Sequence, residues 1–147
     1  MNIKSIIVFG VVLFAASQLF AQSSIDVLQK SNASYLEGME KQGYEFRSQI
    51  VTEFNAENAE QNVNIRLKEG FTYQLVAMGD ADVTVLGVEV KSFKKLGSSN
   101  LESEKPADNQ EYLTFVPEKS GKYKISLNVK DFSSAGKGFV SFMVLRK

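Results

Sequence analysis

Gly79-Asp80-Ala81-Asp82 sets a pair of carboxylates one residue apart at the end of a predicted strand, where both can aim oxygens at one hard cation such as Ca²⁺. Calcium takes about six to eight oxygen ligands, and the further oxygens in the sequence are scattered, at Glu102, Glu104, Asp108 and Asn109. Asp is equally at home in plain turns, because its side chain bonds its own backbone two residues on. Asp80 and Asp82 are thus the candidate metal ligands, and Ca²⁺ is the one cofactor the sequence brings into view.

Tyr112 and Phe132 are the candidate ligand-binding aromatics. Tyr112 has the parity opposite Leu113 and Phe115, and Phe132 lies where a turn is expected, so either could offer a ring face to a sugar. Phe46, Phe71, Tyr73, Phe115, Tyr123 and Phe142 sit on the apolar parity of predicted strands and read as core. Tryptophan, the largest stacking face, is absent. Lys91, Lys94 and Lys95 beside Phe93 could touch an acidic surface or lipid head groups, but lysine at a strand end is also the ordinary guard against edge-to-edge aggregation.

The chain has no cysteine and no histidine. That removes disulfides, thiol nucleophiles, a lipoprotein acylation site, histidine-based triads and nearly every zinc site. A carboxylate pair of the glycosidase type is chemically available among 17 acids, yet a domain this small leaves little room for a cleft spanning several sugars. A Ser or Thr nucleophile activated by Lys is the remaining formal option. The expectation is a protein that is not an enzyme.

These residues must be positioned by about one domain. Residues 1–21 read as a secretory signal peptide: Lys4 is followed by an apolar run from Ile6 to Ala16, with a cut expected after Leu19-Phe20-Ala21, or after Ser17 as the fallback. Ser17 and Gln18 interrupt the run short of a membrane span, so no stable span is expected after cleavage, and the destination is periplasmic or secreted. Removing Lys4 with that segment leaves 16 positive against 17 negative charges, and scattered lysines argue against nucleic acid.

Residues 22–43 form the next unit. Ile25, Leu28, Leu36 and Met39 recur near one helical face, and Gly43 ends the pattern, predicting a short N-terminal α-helix over Ser23 to Gln42 against a sheet edge. Residues 44–147 change to a period of two. Strands are expected from Tyr44 to Phe54, Val63 to Leu67, Phe71 to Gly79, Val83 to Val90 with a bulge near Gly87, Leu113 to Phe115, Tyr123 to Val129, and Gly138 to Arg146. The last is apolar on both parities, as in a central strand or one whose outer face the helix covers. Leu96 to Gln110 is the long loop, with room for a short fifth strand. The fold class is mainly β: an antiparallel sandwich with one short helix.

The runs Val63 to Leu75, Gly79-Asp80-Ala81-Asp82-Val83, Leu113-Thr114-Phe115-Val116-Pro117 and Ser120-Gly121-Lys122-Tyr123-Lys124-Ile125 resemble, in order and spacing, the bacterial pre-peptidase C-terminal domain family over residues 60 to 147. The resemblance implies a small jelly-roll-like β-sandwich, usually appended to exported peptidases as a non-catalytic accessory to secretion or substrate contact. Here it stands without an enzyme, behind a helix and an extra first strand. The functional expectation is a binding or accessory module for another envelope or secreted protein; the alternative is a calcium- or glycan-binding module.

Overall fold

A computed structural model describes residues 24–92, 101–102 and 108–147. The expected signal segment lies outside the described residues, as do Lys94, Lys95 and most of the loop from Leu96 to Gln110, including Glu104. Among the described residues no helix is long and apolar enough to cross a membrane.

Among the described residues one helix, α1 (residues 24–41), precedes eight strands: β1 (Glu45–Asn55), β2 (Glu60–Leu67), β3 (Tyr73–Gly79), β4 (Val83–Ser92), β5 (Leu101–Glu102), β6 (Gln110–Phe115), β7 (Gly121–Phe132) and β8 (Lys137–Arg146). They form two four-stranded antiparallel sheets of order β1-β8-β3-β6 and β2-β7-β4-β5, the interleaving of an eight-stranded jelly roll. Here β1 and β2 follow each other in sequence but belong to opposite sheets, and pair instead with β8 and β7. The fold class expected from the alternating pattern is the one observed.

The interior is a dry layer between the sheets, with Phe54, Leu75, Leu86, Ile125 and Phe142 almost wholly withdrawn from solvent. A second apolar layer explains the double parity of β8. Val140, Phe142 and Val144 face the other sheet, while Met143 and Leu145, with Val76 and Met78 of β3, face outward beneath Leu28 and Met39 of α1. The helix therefore lies over the centre of its sheet rather than at the edge, because the two middle strands supply the outward apolar residues, Val76, Met78, Met143 and Leu145, on which it rests.

A Schellman closure ends α1. Tyr44 N–H donates to Met39 O (3.1 Å) and Gly43 N–H to Glu40 O (2.9 Å), with Gly43 at φ 85°, while Tyr44 and Met39 join the same apolar layer. The other end is held by Ser24 Oγ, which donates to Asp80 Oδ2 at 2.6 Å. Asn32, buried on α1, finds no partner for either side-chain polar atom.

The irregularity expected in β4 near Gly87 is present, between Val83 and Leu86. Two local expectations are corrected. Phe46 is not core: β1 is an edge strand with a register shift between Phe46 and Ser48, and α1 does not reach over it. Phe132 is the last residue of β7, not part of the following turn, and packs half-buried against the inner core.

Candidate functional site

The longest uncovered feature is the edge formed by β1. Its partner β8 takes one side, and no strand takes the other among the described residues. Edge strands are usually short, charged or capped, because their free N–H and C=O groups invite another strand. Here the guards are densest at one end, where Glu45, Arg47 and the register shift lie, while Glu53, 3.7 Å from Lys137, is the charge near the other. From Ser48 to Asn55 the register is regular, and Ile50 and Val51 stand 39% and 40% exposed, with Phe46 at 42%. By pairing, Ile50 lies on the inner face beside Phe142 and Val51 on the outer face beside Ser141. Both faces of the edge thus offer apolar surface to an added strand.

A groove of about 280 Å³ opens at the guarded end, between the rims of the two sheets. Ile65, Leu67, Tyr73 and Val144 give it apolar walls, and Tyr73 Oη accepts from Lys68 N–H at 3.0 Å. Arg47, Arg66, Lys68 and Arg146 line it with positive charge. Glu45 answers part of this charge: its Oε2 lies 2.9 Å from Arg146 Nη2 and 3.9 Å from Arg47 Nη1. Arg146 is further held with its guanidinium carbon 4.4 Å from the centre of the Phe71 ring.

Tyr112 lies on the outer face of β6, 42% exposed, and stacks on Tyr35 of α1 with ring centres 5.0 Å apart. Its hydroxyl donates to Gln110 Oε1 at 2.6 Å. The two rings, with Lys30, Ser31 and Ser34 of α1, line a shallow groove of about 500 Å³. Burial raises both phenol pKa values. For Tyr35 the neighbouring Tyr112 adds to the rise while a hydrogen bond to Gln74 opposes it, and for Tyr112 the carboxylate of Asp108 adds. Sequence reading found Tyr112 by its parity but missed Tyr35, since nothing in the helical pattern says that it meets a strand six elements later.

Asp80 and Asp82 occupy the β3–β4 turn. Asp80 Oδ1 accepts from Asp82 N–H (3.1 Å), an Asx-turn, and its other oxygen takes the Ser24 hydroxyl. Asp82 Oδ1 accepts from Ser133 Oγ at 2.5 Å. Asn109, one of the expected supplementary ligands, turns its amide nitrogen to the carbonyls of Gly79 (3.3 Å) and Asp80 (3.2 Å). No group of three or more His, Cys, Asp or Glu is poised around a common point among the described residues.

No protein-family model matches the chain, and no curated protein matches it in sequence. Among solved structures it is similar to the pre-peptidase C-terminal domain of a collagenase from Bacillus anthracis, with 10% identity over 66% of this chain and 87% of that one, at a TM-score of 0.49. It is also similar to a periplasmic inhibitor of g-type lysozyme from Aeromonas hydrophila (16% identity, 68% and 85% covered, TM-score 0.45) and to the Drosophila NLP core (15% identity, 69% and 99% covered, TM-score 0.36). At these levels no ligand or partner transfers from one protein to another, and a role for this chain has to come from its own surface.

Proposed function

We propose that the chain is a non-catalytic, exported binding module, periplasmic or secreted, which holds another envelope or secreted protein by taking an extended segment of it along β1. The observation that carries this reading is the regular edge from Ser48 to Thr52, with no strand on its far side among the described residues and Ile50 and Val51 exposed on opposite faces. Main-chain hydrogen bonds along such an edge supply affinity, and alternate side chains supply selectivity. The pre-peptidase-like motifs fit an accessory role of this kind.

The test is crosslinked capture from a native envelope fraction by the mature chain, run beside the Ile50→Lys/Val51→Lys variant. Both positions are exposed, so the variant should fold. A protein captured in near-stoichiometric amount by the parent and lost by the variant is the expected result. Equal capture by both, or turnover of an envelope peptide or polymer abolished by substituting a single acid, would refute the reading.

A second reading rests on the stacked Tyr35–Tyr112 pair and its groove, which suit a sugar ring. Calcium at Asp80 and Asp82 belongs with it as a small-ligand role. A ligand present at 100 times its dissociation constant adds about 2.7 kcal/mol of stability, so melts with oligosaccharides or Ca²⁺ should rise in the parent. They should stay flat in Tyr112→Ala or Asp82→Ala respectively.

A further inference from the structure

The open edge and the basic groove adjoin. Arg47 sits within the register shift of β1, beside Ser48, where the regular edge begins, and both residues line the groove. A strand added to β1 would send every second side chain to the inner side, in line with Ser48, Ile50 and Thr52. At its end next to Ser48, those side chains reach the rim where Arg47, Lys68 and Arg146 gather. Glu45 is the one acid in ion-pair contact with this cluster among the described residues, and it is shared between Arg47 and Arg146. The Lys68 side chain has no ion pair or hydrogen bond among the described residues.

From this we infer that the segment received by β1 is acidic: an extended peptide whose end beside Ser48 carries carboxylates that pair with Arg47 and Lys68. The inference rests on the strand-addition reading and adds the chemistry of the partner. The walls of the groove, Ile65, Leu67 and Val144, favour apolar residues between or beyond the acids. The surplus positive charge also disfavours basic segments, which gives selectivity by repulsion as well as attraction.

The experiment is fluorescence anisotropy of a labelled peptide of about eight residues alternating Val and Glu, against the same peptide with Gln for Glu. Titrant proteins are the parent, Arg47→Gln/Lys68→Gln, and Ile50→Lys/Val51→Lys, each checked for folding by thermal melt. The parent is expected to prefer the Glu peptide by about three- to tenfold, as two partly exposed charge pairs would give, with the preference fading between about 50 and 300 mM salt. Arg47→Gln/Lys68→Gln should equalise the two peptides, while Ile50→Lys/Val51→Lys should lose both.

Equal binding of the Glu and Gln peptides by the parent, with loss in the Ile50→Lys/Val51→Lys variant, would overturn the acidic partner and leave strand addition standing. An acid preference that survives Arg47→Gln/Lys68→Gln would overturn the assignment to this groove. Failure of the parent to bind the Glu peptide at all would overturn it too.

Discussion

Leu28 and Val27 are neighbours on α1 with opposite fates: Leu28 is 3% exposed against Met143 and Leu145, and Val27 is 62% exposed. Truncating each to alanine therefore separates docking from helix propensity. Full burial of a leucine is worth about 1.5–3 kcal/mol, and Leu→Ala in packed surroundings costs about 2–5 kcal/mol. The helix rests on the sheet by one face and can settle, so the lower half of that range applies, about 2.5 kcal/mol. For a domain between 100 and 150 residues this lowers Tm by about 8 °C. Val27→Ala should stay within about 0.5 kcal/mol of the parent. Asn32→Ala on the same buried face removes two polar atoms that have no partner, so Tm should hold or rise. Thermal melts followed by far-ultraviolet circular dichroism read all three. If Leu28→Ala and Val27→Ala melt together, the helix is not docked in solution, and the account of why β3 and β8 are apolar on both faces fails.

Tyrosinate absorbance should show Tyr35 and Tyr112 ionising above the ordinary phenol value of 10.0. The folded chain then keeps protons that the unfolded chain has released, so their contribution to stability is whole below pH 10 and is lost as pH rises through the folded values. Tyr112→Phe should soften that alkaline loss, and an unchanged profile would refute the stacked, half-buried geometry. Gly138→Ala should destabilise by about 1–3 kcal/mol, because its Cβ would lie 2.7 Å from Asp80 Oδ1 and 2.8 Å from Val83 Cγ2. Gly38→Ala, in open space on α1, should instead gain about 0.5–1 kcal/mol in the same melts.

The elements were legible where burial is one-sided. Tyr123, Ile125, Leu127 and Val129 alternate so regularly that β7 can be marked by eye, and Gly43 announces the end of α1 through the left-handed turn it permits. The double parity of β8 correctly implied cover on both faces. What could not be read was pairing across long separations. Nothing local to Phe46 says that its strand is an edge, so its apolar parity was read as core. The same blindness hid the candidate surface: Arg47, Lys68 and Arg146 are far apart in sequence and meet only because β1 pairs with β8 and β2 turns back beside them. Tyr112 was identified because exposure follows parity, whereas Tyr35 needed the helix placed.

The interleaved strand order also governs when the molecule can come into being. One sheet is held together by β8, which lies between β1 and β3, and the other by β7, which lies between β2 and β4. Neither sheet can close until those late strands have been made, so contacts between distant parts of the chain dominate and folding belongs in the millisecond-to-second range rather than the microsecond one. Until β7 and β8 are made, β3 and β4 have only the short strands β6 and β5 to pair with. Such a chain exposes its apolar strands for longer while it is being made, and pairing with other unfinished chains competes throughout that interval.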